Sequence, residues 1–211
     1  MKRYYAFDID GTLADSREVH RAAIAEHLAV PLDEVGDGGD WASFCFTHSD
    51  PGAAALIARD ALRLWRQPEV HDAAVPCPGA LEGVTAAARA GILLGYVTRR
   101  PMSMWGVTRA WLVRYGFPVT TYMQHHMGDD QACKSVQVVG LALGWGVKDG
   151  GPGNLSQLCL VEDSPGEALS AARNGLGVVL VDRSYNAGVE HPRIVRVSDL
   201  SNLPDRLSTV G

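Results

Sequence analysis

Residues 3–13 read RYYAFDIDGTL. The apolar and aromatic run of Tyr4, Tyr5, Ala6 and Phe7 has the make-up of a short buried strand. It stops at two carboxylates spaced i, i+2, Asp8 and Asp10, and Gly11, Thr12 and Leu13 follow at once. Isolated charges are expensive to bury. Two acids at the end of an apolar strand therefore point to a bound metal or a reacting group.

The chain just downstream reads as helical. Ser16 can cap a helix over residues 16–28, with Val19, Ala22, Ala23 and Leu28 near helical spacing and Pro31 beyond its end. Residues 33–40 are acidic and glycine-rich and read as a loop, and residues 41–46 are a short aromatic stretch. Pro51 opens a second helix over 53–66. Its apolar face is Ile57, Ala61, Leu64 and Trp65, and Arg59, Arg63 and Arg66 lie on another face. Pro68, Pro76 and Pro78 punctuate the exit. Residues 15–77 thus read as a mainly helical insertion, which leaves 1–14 and 78–211 as the principal domain.

From residue 79 the pattern is regular. Helices read over 79–90, 102–115, 132–143 and 165–174, each among glycine or proline stops. Strands read over 92–98 (ILLGYVT), 119–123, 158–161 and 176–181, with another over 193–197 and a helical turn from Asp199. Residues 125–130 and 149–154 read as polar loops, and the adjacent His125 and His126 do not make a joint metal site with Asp129 and Asp130. Strands alternating with helices predict a parallel sheet. Near-continuous apolar strands fit a sheet covered on both faces. The predicted class is α/β, a three-layer αβα sandwich with a small helical insertion after the first strand.

The bulk properties narrow the function. The chain has 211 residues, 46% hydrophobic and 20% charged, enough for one domain with a sizeable core. Its formal net charge of −5 gives no general attraction to nucleic acid or to acidic membranes. Cys45, Cys77, Cys133 and Cys159 form no CxxC pair and no zinc spacing. No apolar run approaches the ~20 residues of a membrane helix, and no signal-peptide pattern precedes the first strand. A cytoplasmic protein with reduced cysteines is expected, a monomer or homodimer without nucleic-acid or membrane partners.

In open α/β sheets, ligands bind at the carboxyl ends of the strands. There the sequence places Asp8 and Asp10, then Thr98 with Arg99 and Arg100, then Glu162 and Asp163, with Lys134 at a helix start. Acids grouped with other oxygen ligands suit Mg2+ beside a phosphate. A carboxylate there can attack phosphorus and form an aspartyl-phosphate.

The DIDGTL stretch, the strand-end Thr98, the helix-start Lys134 and the later VEDSPGEALSAARNG together resemble the four motifs of the haloacid dehalogenase superfamily of phosphohydrolases. The resemblance covers the chain outside residues 15–77. It implies Asp8 as nucleophile, and Asp10 as the acid and base that serves the leaving group and then water. It implies Mg2+ held by Asp8, the carbonyl of Asp10, Asp163 and Glu162, with Glu167 as a further candidate. Thr98 would bind phosphate and Lys134 would neutralise its charge. Gly11, Thr12, Arg99 and Arg100 would contact the substrate, with backbone N–H groups of Gly11 and Arg99 as donors. The motif after Lys134 carries Ser135 where proline is frequent, so Lys148 is a competitor.

Asp10 argues against dehalogenation, whose enzymes lack this second acid. An insertion without lysine argues against phosphonate cleavage, which needs a Schiff base. Phosphomonoester hydrolysis on a small phosphorylated metabolite remains, with the insertion resembling a helical cap that selects the substrate through Trp41, Phe44, Phe46, Trp65 or its arginines. Residues 97–101 and 181–186 resemble segments of the 5′-(deoxy)ribonucleotidase branch, so a nucleoside 5′-monophosphate is the substrate to expect. A sugar-phosphate phosphatase or a hexose-phosphate mutase is the alternative, and a non-catalytic module binding phospho-ligands or proteins is a second.

Overall fold

The computed structural model describes residues 2–37, 46–119, 124–127, 133–144, 154–201 and 203. The first half of the chain contains β1 (Tyr4–Asp8), β2 (Ala14–Asp15), α1 (Ser16–Leu28), β3 (Gly36–Asp37), β4 (Phe46–Thr47), α2 (Pro51–Trp65), α3 (Pro68–Ala73), β5 (Val75–Pro76), α4 (Ala80–Arg89) and β6 (Leu93–Thr98). There follow α5 (Trp105–Arg114), β7 (Gln124–Met127), α6 (Lys134–Gly144), β8 (Leu158–Glu162), α7 (Pro165–Arg173), β9 (Gly177–Val181) and β10 (Ile194–Val197).

Among the described residues, one sheet runs in the order β10-β9-β8-β1-β6-β7, and every pairing in it is parallel. From β1 the chain winds outward through β6 and β7, then returns to start again at β8 on the other side of β1. The strand order therefore reverses beside β1, where a crevice opens at the carboxyl ends. Asp8 is the last residue of β1.

Alternation along β1 feeds two cores. Tyr5 and Phe7 join a cluster with Ala80, Val84 and Ala87 of α4 and Trp111 and Leu112 of α5. Ala6 joins the opposite cluster with Val138 and Leu141 of α6 and Ala168 and Ala171 of α7. The sheet is thus covered on both faces, giving three layers. Trp111 is fully buried and donates from Nε1 to the carbonyl of Ala74 at 2.7 Å. Truncating such a side chain to alanine costs about 3–5 kcal/mol.

A bulge in β6 sets the phase of its last residues. Tyr5 pairs with Leu93 but Ala6 pairs with Gly95, so Leu94 is the extra residue. Leu93 and Tyr96 consequently face one core while Leu94 and Val97 face the other. Gly95 has φ +143°, a conformation that L side chains rarely adopt.

Residues 15–77 enter and leave through one ribbon. Ala14 pairs with Pro76 and Asp15 with Val75 in the antiparallel pair β2–β5. Between them α1, α2 and α3 surround a third cluster that includes Ile24, Phe46, Ile57, Leu64, Trp65 and Val70. The Ile57, Ala61, Leu64, Trp65 face of α2 is buried as its spacing predicts. Asp50 caps that helix, accepting from Ala53 N at 2.8 Å, and Pro51 takes the first turn, where no N–H is missed.

Several local expectations differ from the structure. Ser16 is the first residue of α1 and not its cap; Asp15 holds the cap position, and the Ser16 hydroxyl is buried without a partner. Pro68 opens α3 where the sequence suggests only an exit. Residues 33–40 read as loop, yet Gly36–Asp37 pair with Phe46–Thr47. His125 and His126 lie on β7 and not in a loop. That strand is at the sheet edge, where polar residues cost little, so hydropathy misplaces it. The strand expected over 119–123 leaves Val119 outside any strand, and residues 120–123 lie outside the described residues. So do Trp41, Phe44, Cys45, Lys148 and the loop over 149–153.

Candidate active site

Three strand ends and one helix start converge on Asp8. Lys134, the first residue of α6, places Nζ 2.6 Å from Asp8 Oδ1 and 2.8 Å from Glu162 Oε2. Asp8, Glu162 and Asp163 offer ligand oxygens that all lie within 4.8 Å of one another. These side chains are almost entirely buried. Three carboxylate groups grouped this closely could hold a divalent cation, and the Lys134 ammonium beside them could meet an anion.

The acids differ in their commitments. Glu162 Oε1 accepts from the backbone N–H of Asp163 (3.1 Å) and of Ser164 (2.9 Å), while Oε2 faces Lys134. Asp163 accepts from Thr12 Oγ1 at 2.9 Å on Oδ1 and from the Tyr185 hydroxyl on Oδ2. Thr12 also stands 3.4 Å from Asp8 Oδ2. Its hydroxyl is thus occupied by the acids, which sets their relative orientation. Glu167 lies apart from the cluster. It accepts from Lys134 N at 3.2 Å, at the start of α6, and is paired with Arg99.

Burial raises the Asp8 carboxyl, and the charge of Glu162 raises it further, against the opposing pull of Lys134. Burial likewise pushes Glu162 up to about 7, with Lys134 opposing and Asp163 adding. Lys134 loses from burial but is raised well above its usual value by Asp8, Glu162 and Glu167. Three carboxyl groups crowd one ammonium here, so burial and mutual repulsion favour protons on Asp8 and Glu162, a condition that a divalent cation relieves.

Asp10 belongs to a different arrangement. Arg100, fully buried, grips it bidentately, Nε to Oδ2 at 2.8 Å and Nη2 to Oδ1 at 2.5 Å, and sends Nη1 to Thr108 at 3.2 Å. His71 Nδ1 lies 3.9 Å from Asp10 Oδ1, and His71 Nε2 is 2.6 Å from the carbonyl of Trp65. Burial alone would raise the Asp10 carboxyl, but Arg100 and then His71 hold it well below the usual carboxylate range. Thr98 Oγ1 stands 3.5 Å from Asp10 Oδ2 and accepts from Arg100 N at 3.1 Å.

The structure thus brings Asp8, Thr12, Lys134, Glu162 and Asp163 into one network, and Asp10 and Thr98 into a second one with Arg100. Two expectations change. Arg100 is not an open substrate contact, because its guanidinium is engaged by Asp10 and Thr108. The Gly11 N–H is not a free donor, because it bonds the carbonyl of Ala14 at 2.8 Å. Gly11 instead permits the turn: it has φ +80°, and a Cβ there would collide with the Asp163 carboxylate. Its carbonyl accepts from Arg183, Nε at 3.1 Å and Nη2 at 2.6 Å.

Sequence reasoning leaves out Arg183, Tyr185 and His71 as parts of this site. Arg183 and Tyr185 fall in the stretch 181–186 that is noticed for its resemblance alone. His71 is hidden in a proline-punctuated stretch that reads as an exit. The insertion also turns polar side chains inward, with Ser16, Arg17, His20 and His71 all buried.

No family model matches the sequence, and no curated protein matches it. Solved structures do. A hydrolase from Pseudomonas syringae superposes with a TM-score of 0.63 at 16% identity, covering 100% of both chains. CbbY from Rhodobacter sphaeroides, solved in complex with phosphate, gives a TM-score of 0.57 at 19% identity over 96% of each chain. A subfamily IA hydrolase of the haloacid dehalogenase superfamily from Geobacter sulfurreducens gives 0.59 at 19% identity, over 97% of this chain and 99% of that one. The chain therefore has the α/β fold of haloacid dehalogenase superfamily hydrolases.

Proposed function

We propose that this protein is a Mg2+-dependent phosphomonoester hydrolase that works through an aspartyl-phosphate on Asp8. The observation that carries the reading is the buried junction in which Lys134 Nζ sits 2.6 Å from Asp8 Oδ1, with Glu162 and Asp163 closing an oxygen cluster. Asp8 and Asp163 would hold the ion, and Glu162, with Lys134 and two N–H groups on its oxygens, supports that pair from behind. The bound ion would offset the charge of the acids and of a phosphate.

In this reading an Asp8 oxygen attacks phosphorus and the bond to the leaving oxygen breaks, that oxygen taking a solvent proton passed through Asp10, which Arg100 holds ionised in the free protein. Asp10 then takes a proton from water, whose oxygen attacks phosphorus and releases the Asp8 carboxylate and inorganic phosphate. Arg100 favours the ionised Asp10 and so favours the second half. Lys134 and Thr98 bind the phosphoryl oxygens, and the insertion acts as a cap that excludes water.

Two substrate classes compete. A nucleoside 5′-monophosphate agrees with the resemblance of residues 97–101 and 181–186. A compact polar leaving group, such as the sugar of a sugar phosphate, is favoured by the state of the described cap aromatics. Trp65 is buried against His20 and His71, and Phe46 against His20 and Arg17. The insertion also buries the polar Ser16, Arg17, His20 and His71. CbbY has also been solved with xylulose-1,5-bisphosphate. A cytoplasmic enzyme, monomeric or dimeric, is part of this reading; Cys77, Cys133 and Cys159 are free, and no helix among the described residues is long and apolar enough to cross a membrane.

Hydrolysis of p-nitrophenyl phosphate tests the reading. Activity is expected with Mg2+ and lost with a chelator, and Asp8→Asn is expected to abolish it. Turnover surviving in Asp8→Asn would refute the nucleophile. A panel of nucleoside monophosphates and sugar phosphates then separates the substrate classes.

A further inference from the structure

Tyr185 sits on the short 3-10 turn Ser184–Asn186 after β9. Its hydroxyl donates to Asp163 Oδ2. The other oxygen of that carboxylate accepts from Thr12 at 2.9 Å. Each oxygen is held by one protein donor and keeps a lone pair for a cation. The next residue, Asn186, fixes the same acid by its backbone, donating from Nδ2 to the carbonyl of Asp163 at 2.7 Å and to that of Val181 at 2.8 Å.

The ring of Tyr185 reaches the insertion. Arg17, in the first turn of α1, carries its guanidinium 4.9 Å from the centroid of the Tyr185 ring and 5.3 Å from that of Phe46. Tyr185 also packs against the insertion's apolar cluster. One side chain therefore touches a candidate cation ligand at its polar end and the insertion along its ring.

We infer that Tyr185 is a positioning residue for the divalent cation, and that through Arg17 it links the seating of the insertion to the cation affinity of Asp163. The inference rests on the Mg2+ reading above. A carboxylate left to rotate must be ordered when it binds a cation, and outer donors that hold it in place typically change metal affinity 10–100-fold. Linkage is reciprocal. A cation that favours the Asp163 geometry held by Tyr185 stabilises the Tyr185–Arg17–Phe46 stack by the same factor. The insertion is then held down more firmly in the loaded protein.

The test is calorimetric titration of Mg2+ into the full-length protein without substrate. Tyr185→Phe keeps the ring and its stacking and removes only the hydroxyl. Arg17→Met keeps the length of the side chain and removes the cation. Tyr185→Phe is expected to bind Mg2+ about 10–100-fold more weakly, compared at a temperature where both metal-free proteins are fully folded, because the buried Asp163 oxygen that loses its donor also lowers the melting temperature. Arg17→Met is expected to weaken binding in the same direction by less, and the double variant by less than the product. Mg2+ is expected to slow proteolysis within residues 15–77 in the wild type and much less in Tyr185→Phe.

A wild type that binds Mg2+ and a Tyr185→Phe variant within twofold of it would overturn the positioning role alone. An Arg17→Met variant with wild-type affinity would overturn the link to the insertion. A wild type that binds no Mg2+ would overturn this inference together with the metal reading beneath it.

Discussion

The fork of Arg100 on Asp10 is a buried ion pair, and its two halves are not equally dispensable. Removing one partner leaves the other charge uncompensated, which costs about 3–5 kcal/mol. Arg100→Met is therefore expected to destabilise by about that much at neutral pH. Asp10→Asn combined with Arg100→Met should be destabilised by clearly less than the sum of the single variants. Urea unfolding of the four proteins measures the coupling, and additive losses would show that the pair is not energetically joined. The type and place of the two residues are legible in the sequence, since both stand at strand ends. The direction of the Arg100 side chain is not. A strand-end arginine in a phosphate-binding pattern reads as facing the phosphate, and only the tertiary position of Thr108 and Asp10 turns it inward. Tyr185 is similar, because its partner Asp163 is brought to it by the sheet.

At the scale of elements, the alternating strands and helices after residue 79 are legible because each buried strand is a continuous apolar run and each helix has its stop. The bulge in β6 is not, since ILLGYVT reads as one regular strand. Gly95 is the sign of it in hindsight, a glycine inside a strand being a marker of a bulge. Its φ of +143° makes the site intolerant of a side chain. Gly95→Ala is expected to cost about 1–3 kcal/mol, read as a lower urea midpoint. It should also lower phosphatase turnover, because Thr98 lies three residues further along the same strand. Unchanged stability would mean that the bulge relaxes freely. The misread strand after α5 has a different cause. At the edge of a sheet hydropathy carries little information, so β7 could be located only by its hydrogen bonds to β6.

For the molecule as a whole, burial works on two titrating groups in opposite directions. Burial raises Glu162 from 4.5 to about 7, so its contribution to stability is full below about pH 4.5 and is lost as pH rises through about 7. Burial lowers His20 from 6.5 to about 4, against its bond to the carbonyl of Ala61. Its contribution is present above about pH 6.5 and is lost as pH falls through about 4. The two slopes offset each other where the windows overlap. Glu162→Gln, studied without divalent cations, should expose the histidine slope and lose stability more steeply than the wild type between pH 6.5 and 4. The difference should be on the order of 1–3 kcal/mol, measured by urea unfolding across pH. Parallel profiles for the two proteins would contradict it.

The ribbon of β2 and β5 carries a consequence for descent. The chain enters the insertion past Ala14 and leaves it at Pro76, directly opposite, and Cys77 N still reaches the carbonyl of Leu13 at 2.8 Å. A segment whose two ends meet can be lengthened, trimmed or swapped without moving β1 or β6. Under the proposed function, the part that chooses the substrate is thus a cassette, spliced in at one point beside acids that keep their places. New specificity can arise by rebuilding that cassette while the chemistry is inherited unchanged.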